Sequence, residues 1–280
     1  MVVRRKVIVK KYLKSQIKRK FPYFVSAYHE YRNKQHYRDF KIKRSPFGFD
    51  FIGAPAMQNG TFEPEETQVI ISELKKCDVF VDVGANVGYF VCLARNLDKK
   101  TVAIEPLSDN LNYLLENLHI NDWRDVEVYP MGVASSPGFA DLFGGSTAAS
   151  LLSGWAGSSE LWKRTIALST LDILIGNRFD EKQLMIKVDV EGAELEVIKG
   201  STNTLKMNPS PVWLMEICLT EHYPQGINPN FKAVFDAFWG HGYSAYSVEA
   251  NERIVTSEDV DRWLRQGYRD FGYVSFLFKK

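Results

Sequence analysis

The 280-residue chain predicts a doubly wound α/β fold, a mostly parallel sheet with helices on both faces. Val79-Phe80-Val81-Asp82-Val83 is β-branched, aromatic or apolar except for one aspartate, which suits a strand buried on both faces. Gly84 and Gly88 then frame a tight turn, after which Val87, Phe90, Val91 and Ala94 recur at helical spacing. A second apolar run, Thr101-Val102-Ala103-Ile104, ends in Glu105, 21 residues beyond Gly84. Strand, glycine turn, helix, strand and terminal acid make the nucleoside-binding half of such a sheet.

The glycine pattern narrows the nucleoside. A dinucleotide fingerprint needs a glycine in mid-turn so that the backbone can approach a pyrophosphate. Asn86 stands there, giving G-x-N-x-G, with a side chain where phosphates would lie. S-adenosyl-L-methionine carries no phosphate. Its ribose has two hydroxyls that can donate to one carboxylate, and its amino-acid end can meet backbone groups at the turn. Glu105 fits the ribose role. The plain alternative is an ordinary βα turn with an exposed acid beyond the second strand.

The remaining elements follow in order. Residues 1–45 hold 15 Lys and Arg against Glu30 and Asp39, a net +13, while the rest, with 20 basic and 32 acidic residues, is −12. Ile8, Tyr12 and Leu13 at helical spacing suggest a basic amphipathic helix in this extension. It can lie on anionic lipid, track nucleic-acid phosphates, or pack on the acidic body or on a second copy in a homo-oligomer. A nucleic-acid partner is not expected. Val7-Ile8-Val9 is too short for a secretory signal, and no run of about 18 apolar residues predicts a membrane span. Cys77, Cys92 and Cys218 sit in apolar segments and read as reduced core residues of a cytoplasm-like compartment. The expected organisation is a basic extension at 1–44 and one catalytic domain at 45–280.

Ser45 to Gly53 reads as a short strand pair, and Thr61 to Glu66 as the entry of a helix running to about Lys75. That helix is expected to cover the cofactor site, with Phe62 and Glu63 near the methionine end. A helix from Ser108 to His119 and a strand from Asp125 to Tyr129 follow, with Gly132 placed where adenine would rest on backbone. Phe139 to Phe143 suggests an extra strand. In Gly144 to Ser159 ten of sixteen residues are Gly, Ser or Thr, which predicts a lid or a surface insertion. Trp155 in its middle favours a lid folding onto something flat, such as a sugar ring. Strands are expected at 165–168, 184–188, 212–217, 243–248 and 271–278, and helices after Thr170, at 195–198 and at 231–239. The turn after 184–188 puts Asp189, Glu191 and Glu194 at the carboxyl end of a central strand, where open α/β sheets bind ligands. His222 lies on a loop at the same rim.

Asp82-Val83-Gly84-Ala85-Asn86-Val87-Gly88, Ile104-Glu105-Pro106, Leu171-Asp172 and Lys187-Val188-Asp189-Val190-Glu191-Gly192-Ala193-Glu194 together resemble the FkbM-type S-adenosylmethionine-dependent methyltransferases. Gly60 to Glu65 and Glu221 to Gly226 are similar to further patterns of that family, and the likeness spans roughly residues 45–280. It implies a Rossmann-like class I methyltransferase fold with a mostly parallel seven-stranded sheet. It also implies S-adenosyl-L-methionine as cofactor and a small-molecule or glycan acceptor, such as a hydroxyl of a sugar, glycolipid or natural product. The cofactor-binding set is then Asp82, Gly84, Ala85, Asn86, Gly88, Tyr89, Glu105, Pro106, Gly132 and Asp189. The cysteines give a cytoplasmic localisation as the expectation, with peripheral membrane contact as one of the readings of residues 1–44.

An alcohol acceptor must lose a proton as its C–O bond forms. His222 is the first candidate base, because an imidazole titrates near neutral pH. Asp189 is the second, and Glu191 completes the catalytic set. Asp189, Glu191 and Glu194 would suit a divalent cation such as magnesium. Glu191 and Glu194, however, lie three apart at a helix start, where the dipole alone favours acids, so no metal is assigned. Amide- and amine-directed relatives carry an Asn/Asp-Pro-Pro-aromatic turn where this chain has Asp189-Val190-Glu191-Gly192, which favours an oxygen acceptor. A nicotinamide-dependent oxidoreductase and an RNA methyltransferase using the basic extension remain the alternatives.

Overall fold

The computed structural model describes residues 41–145, 148–249 and 252–280, so the expected helix and membrane contact of the basic extension lie outside the described residues. The chain opens with a hairpin, β1 (Lys43–Arg44) and β2 (Asp50–Phe51), then α1 (Pro55–Gln58) and α2 (Pro64–Leu74). Next come β3 (Val79–Val83), α3 (Tyr89–Asn96), β4 (Lys100–Ile104), α4 (Ser108–Ile120) and β5 (Glu127–Tyr129). The middle holds β6 (Gly132–Val133), β7 (Gly138–Phe143), β8 (Lys163–Ser169), α5 (Leu171–Ile175), β9 (Leu184–Val188) and α6 (Glu194–Lys199). β10 (Val212–Glu216), α7 (Phe231–Gly240), β11 (Ser244–Ser247), β12 (Ile254–Val255), α8 (Ser257–Gln266) and β13 (Ser275–Lys279) complete it.

The main sheet has the order β12-β11-β13-β10-β9-β3-β4-β5. The five strands from β10 to β5 are parallel, and β13 runs antiparallel between β10 and β11. Seven strands match the expected sheet; the two-residue β12 adds an eighth at one edge. The order in which the chain lays down its strands reverses between the parallel β3 and β9, which opens a crevice at their carboxyl ends.

Alternation along the buried strands sends their side chains to opposite faces. Val79, Val81, Ile186, Val188, Trp213, Phe276 and Phe278 pack on one side with α6, α7 and α8. Phe80, Met185, Leu214 and Leu277 pack on the other with α2, α3 and the Phe49–Phe51 hairpin. The strands expected at 139–143 and 165–168 form, with β6, a separate three-stranded sheet, β6-β8-β7, standing over the crevice. The final strand begins at Ser275, four residues later than expected, since Phe271 is used to pack against Trp263. Helix α8 went unread in the sequence although Thr256 and Asp259 form a reciprocal capping box at its start. Among the described residues no helix is long and apolar enough to cross a membrane.

One buried side chain ties the hairpin to the glycine turn. The Asn117 carboxamide, fully buried on α4, accepts from Ile52 N–H at 2.7 Å and donates to the carbonyls of Ile52 and Val87 at 3.0 and 2.9 Å. Asn117→Leu leaves three backbone groups unsatisfied, each costing on the order of 1–3 kcal/mol. Urea denaturation of this variant should show a loss of at least about 2 kcal/mol; an unchanged midpoint would mean that the tie carries no stability.

Candidate functional site

A cavity lies in the crevice between the carboxyl ends of β3 and β9. Its floor is Gly84 and Asn86 after β3, Glu105 and Pro106 after β4, Gly132 after β5, and Asp189 and Glu191 after β9. The accessory sheet and its loop close it with Leu142, Ile166, Ala149 and Leu151.

Gly84 is required by contact. A Cβ there would stand 1.8 Å from the carbonyl oxygen of Asp189, so only a bare backbone lets the β3 and β9 turns meet. Its φ of +89° is also glycine territory. Asn86 adopts the left-handed region at φ 51° and its N–H donates to Glu105 Oε2 at 2.8 Å. Leu107 N–H donates to Glu105 Oε1 at 2.7 Å, so the buried carboxylate is clamped between two backbone donors. Burial nevertheless pushes it up to about 7, against the pull of those hydrogen bonds. Gly132 opens β6 at the edge of the accessory sheet, where a Cβ would come 2.8 Å from its cross-strand partner Leu168.

At the other end, Lys187 lies buried in β9, its Nζ 3.0 Å from Asp189 Oδ2 and 5.0 Å from the centre of the Phe90 ring. Pairing in register with Asp82 of β3 puts a second acid beside it. Burial pulls this ammonium down, but Asp189, Asp82, Glu63 and Glu66 outweigh it and hold the pKa raised. One oxygen of Asp82 is buried without a partner, and burial pushes that carboxyl up to about 6. Glu63 enters α2 through a left-handed residue at φ 41°. Burial, with Glu66 and Asp189 nearby, pushes it up to about 9 despite the pull of Lys187. Phe62 packs edge-on against Tyr89 at 5.4 Å.

Glu191 sits at φ 55° in the turn after β9. Burial and the neighbouring Asp189 push its carboxyl up to about 8, while a hydrogen bond from Trp155 pulls the other way. Glu194 turns back to accept Gly192 N–H at 2.7 Å and is pushed up to about 7 by burial. It caps the turn.

The crevice thus gathers Gly84, Asn86, Glu105, Pro106, Gly132, Asp189 and Glu191 of the expected residues. Asp82, Ala85, Gly88 and Tyr89 support it from behind and do not line it; Tyr89 is spent on the Phe49–Phe51–Phe62 cluster. His222 does not line it either: it is exposed, its ring centre 5.8 Å from that of Trp155. Asp172 holds the 202–204 turn, accepting from Thr202, Asn203 and Thr204. Among the described residues no group of three or more His, Cys, Asp or Glu is arranged to hold a metal ion. Sequence reading missed the wall of Leu142, Ala149, Leu151 and Ile166, because those residues come to the crevice through a second sheet that local pattern does not announce.

A model of the methyltransferase FkbM domain matches residues 82–270. The chain belongs to the FkbM methyltransferase family. A model of the Vibrio cholerae RfbT protein matches residues 5–139. The hexuronic acid methyltransferase AglP of Haloferax volcanii is 33% identical over 146 residues, which cover 51% of this chain and 58% of AglP, so the match spans little more than half of that relative. Among solved structures, the O-methyltransferase TomG of Streptomyces achromogenes, in complex with SAM, is similar with a TM-score of 0.43 and 14% identity over 77% of this chain and 78% of its own. The precorrin-6y C5,15-methyltransferase of Geobacter metallireducens reaches 0.40 at 14% identity, over 81% of this chain and 91% of its own.

In this family member, Glu63, Glu191, Glu105, Glu194 and Asp82 keep protons at pH values where the unfolded chain has released them. Raised carboxyl pKa values contribute stability that is complete below the ordinary pKa of about 4 and is lost as pH rises through the folded values. The melting temperature of the ligand-free protein should therefore fall from pH 6 to pH 9, and Glu191→Gln should flatten the fall near pH 8. A melting temperature that rises over this range in calorimetry would show these acids to be ionised and paired.

Proposed function

We propose that this chain is an S-adenosyl-L-methionine-dependent O-methyltransferase whose acceptor is an oxygen of a sugar, free or within a glycolipid or natural product. One observation carries the reading: a single cavity has Glu105 at one end, Asp189 and Glu191 at the other, and, among the described residues, no Lys, Arg or His in its lining. Such a site favours hydroxyls at one end and positive charge at the other. A diphosphate there would face carboxylates without a counter-charge, which argues against a nicotinamide dinucleotide.

The residues fit the cofactor. Glu105, already oriented by two N–H donors, keeps lone pairs for ribose hydroxyls. Gly132, Leu142 and Ile166 offer a flat apolar slot for a base. Bound there, S-adenosylmethionine supplies a methyl group on a positively charged sulfur. Asp189, anchored by Lys187, holds negative charge at that end of the cavity. Glu191 receives the proton that an acceptor hydroxyl must lose. A cationic ligand beside it favours its ionised form, bringing a carboxyl that stands at about 8 toward readiness near neutral pH. The base role expected of His222 passes to Glu191, which lines the cavity where His222 does not.

Hexuronic acids, the substrate class in the AglP name, are the first acceptors to test. Transfer of labelled methyl to a hexuronic acid or its glycosides should be seen, and alkali will separate a methyl ester from a methyl ether. Tight uptake of NAD with indifference to S-adenosylhomocysteine in calorimetry would overturn the reading. Glu105→Gln should weaken S-adenosylhomocysteine binding by about tenfold, the loss expected for one charge-assisted hydrogen bond. For a hydroxyl acceptor, Glu191→Gln should cut kcat by about a hundredfold or more, whereas His222→Ala should leave it within about twofold; the reverse pattern would return the base role to His222.

A further inference from the structure

The Gly- and Ser-rich loop after β7 is not spread over the surface. Ser150 Oγ donates to the carbonyl of Glu191 at 2.5 Å and accepts Leu152 N–H at 2.9 Å. Ala156 N–H donates to the carbonyl of His222 at 2.9 Å. Trp155 is 1% exposed, its ring edge-on to Tyr223 at 4.8 Å. A Cβ on Gly192 would come 2.7 Å from both Trp155 and Leu152, so the loop lies directly on the glycine that follows Glu191. Its ring face is therefore covered and offers no platform to a sugar. What it does offer is its N–H: Trp155 Nε1 donates to Glu191 Oε2 at 2.6 Å.

We propose that Trp155 is the positioning residue for Glu191, holding one carboxylate oxygen so that the other is presented to the cavity. This rests on the reading of Glu191 as the proton acceptor. A tryptophan serving only the core needs an acceptor of any kind for its N–H, and a backbone carbonyl would do. Here the partner is one of two carboxylates at the acceptor end of the cavity. The same loop places Ala149 and Leu151 in the cavity wall, so one segment touches both the ligand space and the proton acceptor. The charged groups facing Glu191 are Asp189 and Lys187 from β9, Glu194 from α6 and Glu216 from β10. Lys187 is engaged by Asp189, and the others are acids. Trp155 is thus the neutral donor that favours the ionised carboxylate among them.

The deciding readout, a spectrum, needs no acceptor. In ¹⁵N–¹H spectra of the intact protein, the Trp155 indole resonance, identified by its loss in Trp155→Phe, should shift with pH around 8, and Glu191→Gln should abolish that titration while leaving the ring in place. In Trp155→Phe, which keeps the aromatic ring but lacks the donor, the Glu191 carboxyl carbon should titrate about one pH unit higher, with the sign set by removal of a bond to the charged form. The acidic limb of the methyl-transfer pH profile, where a general base loses activity as it is protonated, should move up by the same amount. A Trp155 resonance indifferent to pH, or a Glu191 titration unmoved in Trp155→Phe, overturns the positioning role. Should Trp155→Phe fail to fold, the Glu191→Gln spectrum decides alone. If the resonance titrates as expected but Glu191→Gln retains full turnover, the hydrogen-bond coupling stands and the base assignment fails instead.

Discussion

The buried ammonium of Lys187 is the interaction on which the rest of the crevice depends. It lies in a strand flanked by apolar neighbours, where an unpaired cation would be strongly unfavourable. Asp189 at 3.0 Å and Asp82 in register supply the counter-charge, and Phe90 presents its ring face. The reverse also holds. Without this ammonium, the buried carboxyls of Asp82, Glu63 and Glu66 would be pushed up further still. One lysine among four acids leaves the neighbourhood short of positive charge.

That shortage gives the crevice its selectivity. Burial alone raises the carboxyls, and their mutual repulsion raises them further, so ligand-free they keep protons they would lose in water. In the proposed reading, a ligand bearing positive charge would relieve the repulsion at one end, while Glu105, clamped by two backbone donors, would meet uncharged polar groups at the other. The backbone sets the spacing between these ends. Gly84 lets the β3 turn touch the carbonyl of Asp189, and no side chain could stand between them.

The second sheet turns this crevice into a cavity. β6, β7 and β8 lean over the carboxyl ends, and the loop beyond β7 folds back to bond the backbone and side chain of Glu191. A loop composed largely of Gly, Ser and Thr has few groups with which to build a core. It is held by a handful of directed contacts centred on Trp155, each to residues of the strand-end turns.

Much of this was legible in the sequence. Buried strands of period two, glycines at their ends and helices of period 3.6 are local signals, so β3, α3, β4 and β9 and the acids at their tips were placed from residue order alone. Residue order also put Asp189, Glu191 and Glu105 at one rim, because parallel strands carry their carboxyl ends to the same side. The tertiary structure decided which rim residues face the cavity: His222 and Glu191 are both on rim loops, and only packing around Trp155 separates them. It also decided that the strands at 139–143 and 165–168 would form a wall above the main sheet, and that Trp155 would hold a carboxylate and leave no open ring face. Those outcomes rest on contacts between segments some 30 to 60 residues apart, such as Trp155 with Glu191 and Ser135 with Glu196. No local period or spacing encodes such contacts.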